Sequence, residues 1–95
     1  EAPNLRLDLG RFEARWHGQM LSLTLTEFSL LEALARRPGL VKSLGQLLRD
    51  AYPHDVHVAE RTIDTHIKRL RRKLIDAGGA DAVDTVHGVG YRFKV

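Results

Sequence analysis

The sequence has 95 residues, the size of one small domain, and its 43% hydrophobic and 28% charged residues are ordinary globular values. The absence of cysteine excludes disulfide scaffolds, thiolate metal sites and cysteine nucleophiles, and no apolar stretch approaches the ~20 residues of a transmembrane helix. The net charge of +3 is too small to name a partner by itself. Residues 1–4 are predicted to be the end of a linker, and residues 5–95 to form the domain.

The first part of the domain is predicted to form short antiparallel strands. Apolar and charged residues alternate over residues 5–9 and again over residues 12–16, which is the period of a half-buried strand. His17 and Gly18 are placed to make the turn into a third strand. Residues 23–25 are a candidate for a fourth strand.

The first predicted helix has apolar residues at helical spacing, namely Phe28, Leu31, Leu34 and Ala35. Two N-caps are open: Thr26 alone, or Thr24, which forms a capping box with Glu27. Pro38 and the glycine after it end this helix.

The second predicted helix follows an extended link at Leu40 and Val41. Ser43 and Gln46 have the S-x-x-Q spacing of a capping box at its start. Its buried stripe is predicted to be Leu44, Leu47, Leu48 and Ala51. Pro53 ends the helix, and residues 53–58 are predicted to be a loop.

The third helix is predicted over about residues 59–77 and is followed by two glycines. The C-terminal residues 83–95 are predicted to form a β-hairpin, which we call the wing, with strands at 85–86 and 91–93. Gly88 and Gly90 lie at its tip, where positive φ angles are needed. The fold class is therefore α+β: a winged helix-turn-helix with an N-terminal antiparallel sheet, three helices and a C-terminal wing.

The positive charge of the chain is concentrated on the third helix. Residues 61–74 hold six basic residues and one acidic residue, whereas the other 81 residues are net negative. At 100° per residue, one face is apolar with Ile63, Ile67, Leu70 and Leu74, and the opposite face is polar with Arg61, Thr65, Lys68 and Arg72. Like charges at this spacing repel one another, so the fold gains nothing from them. A partner with closely spaced negative charges, such as DNA, does gain from them.

The wing is predicted to make a second contact beside the third helix. Its tip from His87 to Gly90 is small enough to approach a nucleic-acid backbone, and Thr85, Arg92 and Lys94 add donors nearby. Phe93 is predicted to lie in the core, whereas Tyr91 either closes the core or presents its hydroxyl to a phosphate.

Four segments together resemble the OmpR/PhoB family of bacterial response regulators, in its winged-helix DNA-binding effector domains. They are LTEFSLLEALARRPG, KSLGQLL, ERTIDTHIKRLRRKL and TVHGVGYRF. The resemblance covers the chain from about Leu5 to Phe93. It implies control of transcription in a two-component phosphorelay, with the third helix in the major groove and the wing at the adjacent minor groove or backbone.

The family's contact positions carry over onto this chain by motif. Groove or phosphate contacts would be Arg61, Thr65, Lys68, Arg69 and Arg71, and phosphate anchors would be Thr62 and His66. Arg72, on the same polar face as Lys68, is predicted to bind DNA as well. On the wing the matching positions are Thr85, His87 and Tyr91. His87 stands where many relatives have arginine, which weakens this charge contact while the histidine is neutral.

The resemblance also implies partners. Members bind tandem direct repeats of double-stranded DNA as homodimers, and the loop 53–58 corresponds to the segment that touches RNA polymerase in activators. A receiver domain upstream and a sensor histidine kinase are expected for the full-length protein. We expect a cytoplasmic, nucleoid-associated bacterial protein without a cofactor or a metal.

Three other functions fit the sequence less well. An enzyme is disfavoured because the cluster of His54, Asp55 and His57 lies in a predicted loop without a further metal ligand nearby, and no phosphate-loop motif occurs. Binding of the basic helix to an anionic membrane is disfavoured because its apolar face is narrow and is needed by the fold. A winged helix that binds only protein has no need of the charge on the third helix.

Overall fold

The computed structural model describes residues 4–52 and 58–94. Residues 1–3 of the predicted linker, most of the predicted loop 53–58, and the cluster of His54, Asp55 and His57 lie outside the described residues.

The N-terminal sheet has three antiparallel strands in sequence order: β1 (Leu5–Asp8), β2 (Glu13–Trp16) and β3 (Gln19–Leu21). His17 and Gly18 have φ angles of 50° and 82°, the two positive values that a tight hairpin turn requires. The predicted fourth strand at residues 23–25 is wrong, because Thr24 caps a helix that begins at Leu25. The helix cap satisfies backbone N–H groups of this segment locally, whereas a fourth strand would need hydrogen bonds from the edge of a neighbouring strand.

Helix α1 (Leu25–Ala35) begins with the Thr24 and Glu27 capping box, so the second of the two predicted N-caps is confirmed and Thr26 lies inside the helix. The four residues predicted to be apolar and inward, Phe28, Leu31, Leu34 and Ala35, are all buried. This helix packs against α2, the third helix and the C-terminal strand, and so forms the centre of the core.

Helix α2 (Leu44–Ala51) begins at the predicted Ser43 and Gln46 capping box, which is confirmed. The extended segment before it is strand β4 (Lys42–Ser43), two residues later than the predicted link at Leu40 and Val41. The position differs because β4 exists by pairing with a strand near the end of the chain, a contact that the local sequence does not reveal.

Helix α3 (Thr62–Asp76) is shorter than the predicted 59–77, and residues 60 and 61 form a turn before it. Its N-cap, Arg61, has no side-chain capping bond, which fits the absence of a capping motif in the sequence. The predicted inward residues are at most 1% exposed: Ile63, Ile67, Leu70 and Leu74. The helical phase read from the sequence is therefore confirmed.

The wing consists of β5 (Val83–Val86) and β6 (Gly90–Phe93), and β6 lies between β4 and β5 in a second antiparallel sheet. In this sheet Ser43 pairs with Gly90, which places the start of α2 beside the wing. Three helices with an N-terminal sheet and a C-terminal wing confirm the predicted α+β winged helix-turn-helix.

Candidate nucleic-acid interface

The outer side of α3 is a cationic surface. Five of the predicted contact residues are exposed there, and we call them the basic face: Arg61, Thr65, Lys68, Arg69 and Arg72. Within residues 4–52 and 58–94, the four cations of this face make no side-chain hydrogen bond or ion pair with another described residue. Because α3 buries its opposite side in the core, these charges point to one side of the domain.

Two further predicted residues lie at the edge of the basic face and are half-buried. The Thr62 hydroxyl donates to the Ala59 carbonyl in the turn that precedes α3. The Nε2 atom of His66 lies 3.4 Å from the hydroxyl of Tyr52, the residue that ends α2. The first contact holds the start of α3 to the turn before it, and the second links α3 to the end of α2, so both side chains have defined positions beside the basic face.

One cation of the basic run is used inside the fold. Lys73 donates to the Oε1 atom of Glu27 over 2.6 Å, and Glu27 is only 1% exposed. Burial by itself would raise the pKa of Glu27, but hydrogen bonds from Lys73 and Thr24 and the charge of Lys73 outweigh it, and the pKa is lowered. The pair links α3 to the capping box of α1.

Arg71 is a second cation that has an internal partner. Its Nε donates to the carbonyl of Val83 over 3.2 Å, its Nη2 donates to the hydroxyl of Thr85, and its guanidinium lies 5.2 Å from the centre of the Tyr91 ring. The side chain therefore connects α3 to the wing. Contact of Arg71 with DNA stays a prediction.

Tyr91 and Thr85 also have partners inside the domain. The hydroxyl of Tyr91, a residue 9% exposed, donates to the Oδ1 atom of Asp64 over 2.5 Å. Burial, the bond to Asp64 and the charge of Asp64 raise the pKa of Tyr91 to about 12. The hydroxyl is therefore held against α3, and its predicted contact with a phosphate stays a prediction.

The tip of the wing is the free end of the hairpin. His87 is exposed there beside Gly88, whose φ of 79° allows the turn. The predicted positive φ at Gly90 is wrong, because this residue begins strand β6 and pairs with Ser43 and Val86. A cleft lined by Leu44, Asp64 and residues 85–91 lies between the wing and the first turns of α2 and α3. The tip and the basic face are thus the two exposed parts of the predicted site.

Sequence reasoning missed two residues that organise this surface, Asp64 and Glu27. Asp64 and Arg71 are seven residues apart on one flank of α3, which is the spacing of two helical turns. That spacing is the signal for a shared partner, but the identity of the partner comes from the tertiary structure. Glu27 was expected only to cap α1.

Other kinds of site find no support in the described part of the chain. No cluster of three potential metal-ligating side chains occurs among the residues that the structure describes. No helix in the described ranges is long and apolar enough to cross a bilayer.

A helix-turn-helix pair formed by α2 and α3 and followed by a wing is the architecture of the winged-helix class of proteins. The model of the family described as "Transcriptional regulatory protein, C terminal" matches residues 18–93. The chain belongs to this family, and its resemblance to the OmpR/PhoB response regulators is confirmed. This is a family of transcription regulators and not a class of enzymes.

Three similar proteins illustrate the relationship. The transcriptional regulatory protein BaeR of Escherichia coli O6:H1 is 48% identical over 95 residues, covering 99% of this chain and 39% of BaeR. The phosphate regulon regulatory protein PhoB of Rhizobium meliloti is 42% identical over 90 residues, covering 93% of this chain and 40% of PhoB. The DNA-binding domain of the response regulator AdeR, solved in complex with an intercistronic region, is 31% identical with a TM-score of 0.90, covering 99% of this chain and 96% of that one. The chain thus spans about two fifths of the length of these curated relatives.

Proposed function

We propose that this domain controls transcription by binding double-stranded DNA in a sequence-specific way. In this proposal α3 enters the major groove with its basic face, and wing residues 85–92 lie at the adjacent minor groove or backbone. The observation that carries the proposal is a row of exposed cations on α3 and in the turn before it, and these cations have no side-chain partner among the described residues: Arg61, Lys68, Arg69 and Arg72. The major groove is wide enough for an α-helix, and phosphates supply the missing negative charge.

The contacts divide into two groups. The first group positions the domain by contacting phosphates and does not read the base sequence. It consists of Arg61, Lys68 and Arg72, with Thr62 and His66 at the edge of the basic face. Arg69 and Thr65 are proposed to reach base edges, because arginine presents a fork of donors that matches guanine. On the wing, His87 at the tip is the exposed candidate for a DNA contact. To contact DNA as well, three residues would have to exchange or share their present partners within the domain: Thr85, Tyr91 and Arg71.

The partners of the full-length protein are proposals as well. Binding to tandem direct repeats as a homodimer is proposed with half-sites about one DNA turn apart, ~10–10.5 bp, so that two copies lie on one side of the duplex. A receiver domain is proposed because the matched relatives are more than twice as long as this chain. A sensor histidine kinase is proposed because the chain resembles the response regulators of two-component systems. We also propose that residues 53–58 contact RNA polymerase and that the protein is located in the cytoplasm, on the bacterial nucleoid.

The test is to select binding duplexes from a random DNA pool and then to compare variants on a selected and a scrambled duplex. Arg69→Ala should lose on the order of 1–3 kcal/mol on the selected duplex and less on the scrambled one. Arg6→Ala, an exposed arginine on β1, is the matched control for the change in charge. Failure of the folded domain to enrich any sequence would contradict specific binding, and equal losses on both duplexes would make Arg69 a phosphate contact.

A further inference from the structure

One flank of α3 is joined to the two strands of the wing by a cluster of four polar side chains. Asp64 and Arg71 lie two helical turns apart on α3, and they face Thr85 of β5 and Tyr91 of β6. Thr85 and Tyr91 are cross-strand partners in the wing. The two helical residues therefore contact the same cross-strand pair of the hairpin.

Each member of this cluster has a specific partner. The Tyr91 hydroxyl donates to Asp64 over 2.5 Å, which is a charge-assisted bond to a carboxylate. Arg71 donates to the Val83 carbonyl and the Thr85 hydroxyl while its guanidinium lies over the Tyr91 ring. Both strands of the wing are thus fixed to α3 by side chains of α3.

Asp64 is an unexpected residue on a surface that faces DNA. It is the single acidic residue in 61–74, and its side chain is exposed at the same end of α3 as Arg61. A carboxylate there repels phosphates, so it opposes binding if it has no other role. An acid in the first turn does favour the helix dipole, but this is worth only a few tenths of a kcal/mol to about 1 kcal/mol.

We propose that Asp64 is a positioning residue: with Arg71 it holds the wing at a fixed orientation to α3, so that helix and wing contact the duplex together. The inference deepens the proposed function and rests on it for the effect on DNA. It assigns the hydroxyl of Tyr91 to Asp64 in the bound as well as the free domain. It also makes Arg71 a residue that acts through the wing.

The proposal and its rival predict opposite signs. If Asp64 is only a surface charge, its removal lowers repulsion and tightens binding to every duplex. If Asp64 holds the wing, Asp64→Ala frees Tyr91 and weakens binding to the selected duplex despite the gain in net charge. Asp64→Asn separates the two effects, because an amide oxygen still accepts from the Tyr91 hydroxyl while the charge is gone.

The experiment measures binding of the domain to a duplex selected by the wild-type protein. Asp64→Ala should weaken binding about tenfold, which corresponds to ~1.4 kcal/mol, and Asp64→Asn should restore it to the wild-type level or above. The matched control is Asp76→Ala in the last turn of α3. It removes an exposed acid that has no side-chain partner among the described residues. It should not weaken binding. Thermal unfolding of each variant checks that the domain is folded at the temperature of the assay.

A double variant tests whether Asp64 and Tyr91 act as one unit. Tyr91→Phe should weaken binding about as much as Asp64→Ala, and the two changes together should cost no more than either one. Additive losses would overturn the proposal, because they would mean that Tyr91 contacts the DNA independently of Asp64.

A measurement without DNA separates this inference from the proposed function. Backbone amide relaxation by NMR should show greater mobility of residues 86–90 in Asp64→Ala than in the wild type, with Asp64→Asn unchanged and the core amides of α1 unchanged in both. An unchanged wing together with tighter DNA binding by Asp64→Ala overturns the proposal. A loosened wing in a domain that binds no duplex supports the contact itself and contradicts the proposed function.

Discussion

At the scale of the residue, the fold strongly alters the titration of the Tyr91 phenol. Burial and Asp64 raise its pKa from 10.0 to about 12. Because the folded state holds this proton more tightly than the unfolded chain, the associated stability is present in full below pH 10 and is lost as the pH rises towards 12.

An alkaline titration therefore gives a direct test at this scale. Tyrosinate absorbance should show one phenol that ionises late, near pH 12, and Tyr91→Phe should remove that late step. Asp64→Ala should move it to lower pH, because both the hydrogen bond and the negative charge disappear. A late step that persists in Tyr91→Phe would contradict the assignment.

Gly90 is the residue at which the backbone leaves no room for a side chain. A Cβ atom built there would lie 1.9 Å from the carbonyl oxygen of Lys42, within the β4–β6 pairing. Gly90→Ala must push the strands apart, and we expect a loss of about 1–3 kcal/mol in the free energy of unfolding.

The urea midpoint measures this effect, and Gly10→Ala is the control. A Cβ atom at Gly10 has its nearest neighbour at 3.5 Å, an ordinary contact, so this change should be close to neutral. Equal midpoints for the two variants would contradict the close approach of β4 and β6.

At the scale of the element, local patterns predicted the helices and missed the pairing of distant segments. The phase of α3 follows from its own periodicity, because four apolar residues at helical spacing must share one face. Strand β4 has only Lys42 and Ser43, and it exists because β6 lies beside it some fifty residues later in the chain. Local sequence carries no signal for a pairing of this kind.

The same limit applies to the charges of the candidate site. Sequence predicted the basic run on α3 but not which of its cations have partners inside the fold. The structure divides them: Lys73 has Glu27 of α1 as its partner, Arg71 has the wing, and Lys68, Arg69 and Arg72 have none among the described residues. This division depends on which elements pack against each flank of the helix, and so it could not be predicted from the run itself.

The Lys73 and Glu27 pair gives a prediction about how α3 is held to α1. Lys73→Ala leaves the carboxylate of Glu27 buried without its cation, and we expect a loss of ~2 kcal/mol in the free energy of unfolding. Lys68→Ala removes the same charge from the exposed face and should leave stability within about 0.5 kcal/mol.

The pH dependence of stability provides a second readout for this pair. The lowered pKa of Glu27 means that its contribution is present above the ordinary value of 4.5 and is lost as the pH falls through the folded value. Chemical unfolding over this acidic range should show a smaller loss of stability in Lys73→Ala than in the wild type. An identical acid profile in both proteins would contradict the role of Lys73.

At the scale of the whole molecule, the second sheet brings the parts of the site together. Strand β6 pairs with β4 on one side and β5 on the other, so one sheet joins the start of α2 to the wing. The core packs α1 against α3 from behind, and the basic face is left exposed. The arrangement presents a helix and a hairpin tip as two separate contacts, which is what a groove and its neighbouring backbone require.

The central claim is that the basic face of α3 meets DNA phosphates, and the most direct test is the salt dependence of binding. The wild-type domain is titrated onto a labelled random duplex of about three helical turns at several salt concentrations. The test variant is Lys68→Ala/Arg72→Ala. The control is Arg6→Ala/Arg15→Ala, which removes the same charge from two exposed arginines of the N-terminal sheet. The wild type and the control should show a steep negative slope of log K against log salt concentration. The slope of the Lys68→Ala/Arg72→Ala variant should be shallower by roughly 2. Equal slopes in all three proteins, or no binding by the folded domain at low salt, would contradict it.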